Sequence, residues 1–189
     1  MIMEKNRLEA FSDGVLAIII TIMILEMKQP VSDRFSDFIA LGPTLSAYML
    51  SFIFIAIYWV NHHQIFRKAR RINIKILWCN IIWLFVMSFI PFATAWVGTY
   101  PTSLAPVSIY FTDMFLTSVA FHLLYYFIIH ENGEHFKLSK RNAISLLVYL
   151  LASLFGGFYP LVSFVIVAIV TCWWIMPEKI VIEEKNNCN

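Results

Sequence analysis

Residues 7–25, RLEAFSDGVLAIIITIMIL, open as a charged, polar turn and become almost wholly apolar within a few residues. As a helix, a run of this length and character can cross the hydrocarbon core of a bilayer once. Arg7, Glu9, Ser12 and Asp13 then fall where the helix enters lipid. Ionisable groups at that depth are expensive and persist only with a partner or a water-filled path, so this stretch is the first candidate for function.

The rest of the chain agrees with a membrane reading. Of 189 residues, 60% are hydrophobic and 14% are charged, whereas a soluble domain carries about a quarter charged residues to cover its surface. Five or more long apolar runs make the expected fold class an all-α membrane protein. Cys79, Cys172 and Cys188 are widely spaced with no CxxC pair, so no metal site and no cofactor are expected from them. The first run carries Asp13 and lacks an A-x-A-type cleavage site, and is expected to stay as a signal-anchor helix. No nucleic-acid partner is expected.

Six transmembrane helices are expected, at about 8–27, 43–66, 76–97, 107–129, 141–157 and 159–175, forming one membrane domain over residues 1–189. Pro30 closes the first, and the polar stretch 31–38 is expected to start a partial helix. Pro43 suits the first turn of the second. Pro91 should kink the third, the Gly156-Gly157 pair ends the fifth, and Pro177 stops the sixth. With both termini cytoplasmic, the inner segments hold Lys5, Arg7, the cluster Arg67, Lys68, Arg70, Arg71 and Lys75, then Lys137, Lys140, Arg141, Lys179 and Lys185. The outer segments hold only Lys28 and Arg34, as the positive-inside rule requires. The aromatic residues, 17 Phe, 8 Tyr and 6 Trp, are expected mostly toward lipid and in interfacial belts, with Trp59, Trp78, Trp96, Trp173 and Trp174 near span ends.

Orientation brings the polar groups to one depth. Asp13 lies about 9 Å along the axis from Arg7, and Asn80 about 7 Å past Lys75. The second span reaches Asn61, His62 and His63 just before its inner end. Arg7, Ser12, Asp13, Asn61, His62, His63 and Asn80 therefore form one expected layer, either pinning three helices together or also setting the geometry of a pathway. Adjacent on a helix, His62 and His63 point about 100° apart and cannot readily chelate one ion. On the first helix Gly14, Ile18, Thr21 and Leu25 share a stripe roughly 60° wide, while Asp13 faces elsewhere. By spacing alone that stripe reads as ordinary close helix packing. Glu26 is expected at the outer interface, and Asp113 about two turns in from the outer surface, as a capping or partner residue.

Arg7-x-x-x-Phe11-Ser12-Asp13 before the apolar run resembles the first helix of the transmembrane protein 175 family. Trp59-Val60-Asn61-His62-His63, and Asn80 with Pro91-Phe92-Ala93-Thr94, are similar to that family's second and third helices. The resemblance implies a one-repeat, six-helix potassium channel in the cell membrane, a homotetramer whose first helices line a central pore. It implies an apolar constriction at Ile18, Thr21 and Leu25, with the Thr21 hydroxyl favouring potassium over sodium. Arg7, Phe11, Ser12, Asp13, Asn61, His62 and Asn80 would hold the pore helix, and potassium would be the permeant ion, with no metal or cofactor bound. Val97-Gly98-Thr99-Tyr100 looks like a carbonyl-filter core, but the short connection leaves no room for a re-entrant pore helix. It is expected to be an interfacial turn anchored by tyrosine.

Two further classes compete with a channel. A proton-coupled secondary transporter would use Asp13, His62 and Asp113 and would saturate, but the halves show no inverted repeat or paired broken helices. A membrane enzyme or bis-histidine haem protein would need histidines facing across helices at matched depth. His62 and His63 lie near the inner surface, His122 lies deeper, and His130 and His135 fall at or beyond a helix end. No nucleophile–base spacing points to an enzyme.

Overall fold

The computed structural model describes residues 4–175. Pro177, Lys179, Lys185 and Cys188, and with them the ends of the chain, lie outside the described residues. Among the described residues eight helices follow in order: α1 (Lys5–Leu25), α2 (Phe35–Ala40), α3 (Gly42–Lys68), α4 (Ile74–Met87), α5 (Ile90–Thr99), α6 (Leu104–Glu131), α7 (Lys140–Phe155) and α8 (Pro160–Trp173). There is no strand among the described residues. Taking α4 and α5 as one broken helix, four helices are long and apolar enough to cross a membrane. The partial helix expected in 31–38 is α2, placed a few residues later.

Prolines mark the helix starts. Pro43, Pro91 and Pro160 each sit in the first turn of their helix, where a missing N–H leaves no intrahelical bond unmade. Pro91 also separates α4 from α5. It cannot donate to the Met87 carbonyl, and the interruption falls at Ser88 and Phe89, before the proline itself.

α6 is the centre of the bundle, with 56% of its apolar window buried, against 28% for α1. Among the described residues more aromatic residues are exposed than buried, but Trp83, Tyr110, Phe54, Phe66 and Phe111 are among the largest fully buried side chains. Tyr58, Trp83 and Phe121 meet at ring distances of 5.0 to 6.4 Å. Large rings fill the space between helices with few rotatable bonds, and tilted or edge-on pairs suit their charge distribution.

At the basic end of the bundle, Asn132 closes α3 onto α6. Its side-chain nitrogen donates to the Lys68 carbonyl at 2.9 Å, and its oxygen accepts from the Arg70 N–H at 3.2 Å. Arg67 and Lys68 lie in the last turn of α3, where positive charge opposes the helix dipole. At the other end the packing is close. A Cβ on Gly98 would stand 2.9 Å from Thr44 Cα, and the Thr44 hydroxyl donates to the Gly98 carbonyl at 2.9 Å. Gly98 is thus buried in the last turn of α5 and is not part of a turn, while Tyr100 is exposed just beyond.

The last two helices are short: α7 has 16 residues and α8 has 14, or about 24 Å and about 21 Å. Their connection nevertheless reaches the start of α6, where a Cβ on Gly157 would strike Leu104 and Ser108. The hairpin returns to the basic end, where the buried Arg141 donates to the Trp173 carbonyl at 2.5 Å and stacks 4.3 Å from the Trp174 ring. Arg141, expected among the loop cations, is therefore built into the bundle.

Candidate functional site

α1 presents two unlike faces. Leu8, Ser12, Leu16, Ile19 and Met23 recur every three or four residues and are buried, packed against α3, α4 and α5. Phe11, Gly14, Ile18, Thr21 and Leu25 are exposed on the other side.

The buried face is held at two depths. At the basic end, Ser12 donates its hydroxyl to the Leu8 carbonyl at 2.8 Å and accepts from Asn80 Nδ2 at 2.9 Å. Asn80 Oδ1 lies 2.8 Å from His62 Nε2. An amide oxygen only accepts, so His62 carries its proton on Nε2. His62 is stacked between Phe66, at 4.3 Å, and Trp83, at 4.9 Å. All three polar residues are almost fully buried. About 16 Å further along α1, Met23 Sδ meets the Thr94 hydroxyl at 4.0 Å. Thr94 and Tyr110 both lie on Ser51, at 2.7 and 2.9 Å. Every hydroxyl is satisfied if Tyr110 donates to Ser51, Ser51 to Thr94, and Thr94 to the sulfur.

Not every residue of the expected layer joins it. Asp13 is exposed and accepts from Trp59 Nε1 at 2.9 Å. Asn61 is half-buried and donates to its own helix, at the Ile57 carbonyl. His63 and Phe11 are exposed. Arg7 is exposed, and its guanidinium makes no hydrogen bond to the other described residues, although its backbone N–H donates to the Glu4 carbonyl at 3.1 Å. Ser12, Asn80 and His62 are therefore the shared core, with Asp13–Trp59 beside it.

On the outer face, a Cβ on Gly14 would meet nothing within 4 Å. The close contact expected from a glycine is absent among the described residues. Ile18 is 58% exposed and Leu25 79%. Thr21 donates to the Ile18 carbonyl at 2.9 Å, so its hydrogen is engaged and its oxygen lone pairs remain outward. Ile18 and Ile22 also border an open groove of about 960 Å³, faced by Phe92 and Trp96.

Asp113 is buried on α6, and its Oδ2 has no hydrogen-bond partner among the described residues. No hydrogen bond ties it to Asp13 or His62. Among the described residues no three His, Cys, Asp or Glu side chains are grouped to hold a metal. Sequence reasoning missed Ser51 and Tyr110, and the Tyr58–Ser118 hydrogen bond that joins α3 to α6. The signal was present: Ser51, Tyr58 and His62 share one face of α3, and Tyr110, Thr117 and Phe121 one face of α6.

Comparison with known proteins bears on this geometry. The family model described as "Endosomal/lysosomal potassium channel TMEM175" matches residues 7–91. A potassium channel of Chryseobacterium sp. (strain P1-3) is 39% identical over 183 residues, covering 94% of this chain and 95% of that protein. The endosomal/lysosomal proton channel TMEM175 of Homo sapiens is 31% identical over 133 residues, covering 62% of this chain and 26% of that protein. The crystal structure of a lysosomal potassium-selective channel TMEM175 homolog from Chamaesiphon minutus matches with a TM-score of 0.80 at 28% identity. It covers 90% of this chain and 96% of that one.

Proposed function

The chain belongs to the TMEM175 family, and from that premise we propose a potassium-conducting pore built around the outer face of α1. The protein is a potassium channel of the membrane, and its activity is ion conduction rather than catalysis. In the proposed assembly four copies meet with Ile18, Thr21 and Leu25 toward a common axis, in the cell membrane and with both termini cytoplasmic. The short α7 and α8 serve as the fifth and sixth spans, a reading supported by the contact of Gly157 with the start of α6.

One observation carries the proposal. The helix with the family motif is fixed on one face by Ser12–Asn80–His62 and Thr94–Met23, while its Gly14-Ile18-Thr21-Leu25 face is exposed among the described residues. At an apolar neck, an ion loses part of its water shell, and the outward lone pairs of a Thr21 ring offset part of that loss. Arg7, Phe11, Asp13 and Asn61 belong to the support of this helix in the proposal, Asp13 through Trp59.

Reversal potentials in reconstituted bilayers test it. Under a potassium/sodium gradient the wild type is expected to shift toward potassium, and Thr21→Ala to lose that shift. A proton gradient applied to the same membranes separates the alternatives. Saturating flux that follows the proton gradient would favour a proton-coupled carrier using Asp13, His62 and Asp113.

A further inference from the structure

Away from α1, two cavities of about 200 Å³ and about 430 Å³ share Ile57, Asn61, Gln64 and Trp174, and so form one groove between α3 and the α7–α8 hairpin. Along α3 its wall changes character by depth. Lys68 stands at the basic end, Gln64 and Asn61 follow, and Ile57 and Phe54 lie deeper. Fourteen residues span about 21 Å. Lys137 lines the same cavity as Lys68, and Arg141 borders the neighbouring cavity, its guanidinium fixed by the Trp173 carbonyl and the Trp174 ring. No Asp or Glu among the described residues lines either cavity. Toward the lipid side the wall is apolar, with Phe52, Val60 and Ile175 exposed.

Three cations at one end, amide donors next, and an apolar channel open to the side match one kind of molecule in order. We infer that this groove binds an anionic glycerophospholipid. Its phosphate lies among Lys68, Lys137 and Arg141, and its ester oxygens lie beside Asn61 and Gln64. One Asn61 hydrogen is already given to the Ile57 carbonyl, and the other is available. An acyl chain follows Val60 toward Phe52. A free phosphate would leave the apolar half unused, and a neutral phospholipid would leave the cations unmatched. Basic pockets between membrane helices recognise lipid headgroups on this principle.

Trp174 lines both cavities and reports occupancy. The full chain in detergent micelles is titrated with phosphatidylglycerol or phosphatidylcholine carrying brominated acyl chains, which quench nearby indoles. Phosphatidylglycerol is expected to reach half-quenching at a concentration on the order of tenfold lower, given the contribution of each basic side chain. Lys68→Gln with Lys137→Gln, both at exposed positions, should abolish that preference. Arg70→Gln with Arg71→Gln, equally basic but outside the groove, should retain it. Trp174→Phe should remove the lipid-selective part of the quenching, and the lysine comparison stands without it. Equal half-quenching by the two lipids, as a groove filled by a second copy of the chain would give, overturns the inference. So does a preference that survives loss of both lysines.

Discussion

Asn80 uses both ends of its amide on other helices, its nitrogen toward Ser12 of α1 and its oxygen toward His62 of α3. Removing it leaves the buried His62 Nε2–H without a partner and Ser12 with only the Leu8 carbonyl of its own helix. Asn80→Ala should therefore lower stability by about 1–3 kcal/mol, read as a fall in the thermal midpoint of the detergent-solubilised protein. Asn61→Ala should fall much less, because Asn61 is half-buried and bonds only to its own helix at Ile57. The two asparagines were indistinguishable in the sequence, since both sit at the same expected depth. Rotation about the helix axis separates them, and depth arithmetic does not contain it. Thr21 presents the complementary case: its hydrogen goes to Ile18 and its lone pairs stay outward. Thr21→Ser keeps those lone pairs and should keep the potassium shift in reversal potential, whereas Thr21→Val, of similar shape, should lose it.

At the scale of helices, glycine placement decides how closely two of them approach. Gly98 lets α5 lie directly on the start of α3, where a Cβ would press on Thr44 Cα at 2.9 Å, a backbone atom that cannot rotate away. Gly98→Ala should destabilise by about 1–3 kcal/mol through forced separation of the two helices. Gly14→Ala, with nothing within 4 Å, should be neutral or gain up to about 1 kcal/mol from helix propensity in the single chain. Thermal unfolding of both variants in detergent gives the comparison, and opposite signs are the expected outcome. The apolar runs and the prolines made the long helices and the break near Pro91 legible. Gly98 was misread as turn because a glycine next to Thr-Tyr-Pro carries the same local signal whether it ends a helix or packs one. Only its partner Thr44, 54 positions away, tells the two apart.

For the whole molecule, lipid removes the usual clue to assembly. An exposed apolar face in water asks for a cover, but in a bilayer the acyl chains provide one, so neither sequence nor single-chain burial reveals how many copies meet. The long apolar runs were readable because they are one-dimensional, and four of the helices they form are long and apolar enough to cross a membrane among the described residues. The grouping of copies was not readable, and it entered only through the Arg7–Asp13 motif. What the single chain adds is an imbalance, with α1 28% buried and α6 56% buried over comparable apolar windows. Leu25 and Ile24 are both exposed, at 79% and 48%, and nothing within one chain separates them. They point about 100° apart, so a pore along the Thr21 face would admit one and exclude the other. With Cys172→Ser and Cys188→Ser as background, Leu25→Cys channels in planar bilayers should be blocked by micromolar cadmium, because a ring of thiolates is a soft-metal site. A chelator should restore the current. Ile24→Cys channels should be insensitive to the same cadmium. Block of both, or of Ile24→Cys alone, would turn α1 away from the proposed axis and move the pore to another face.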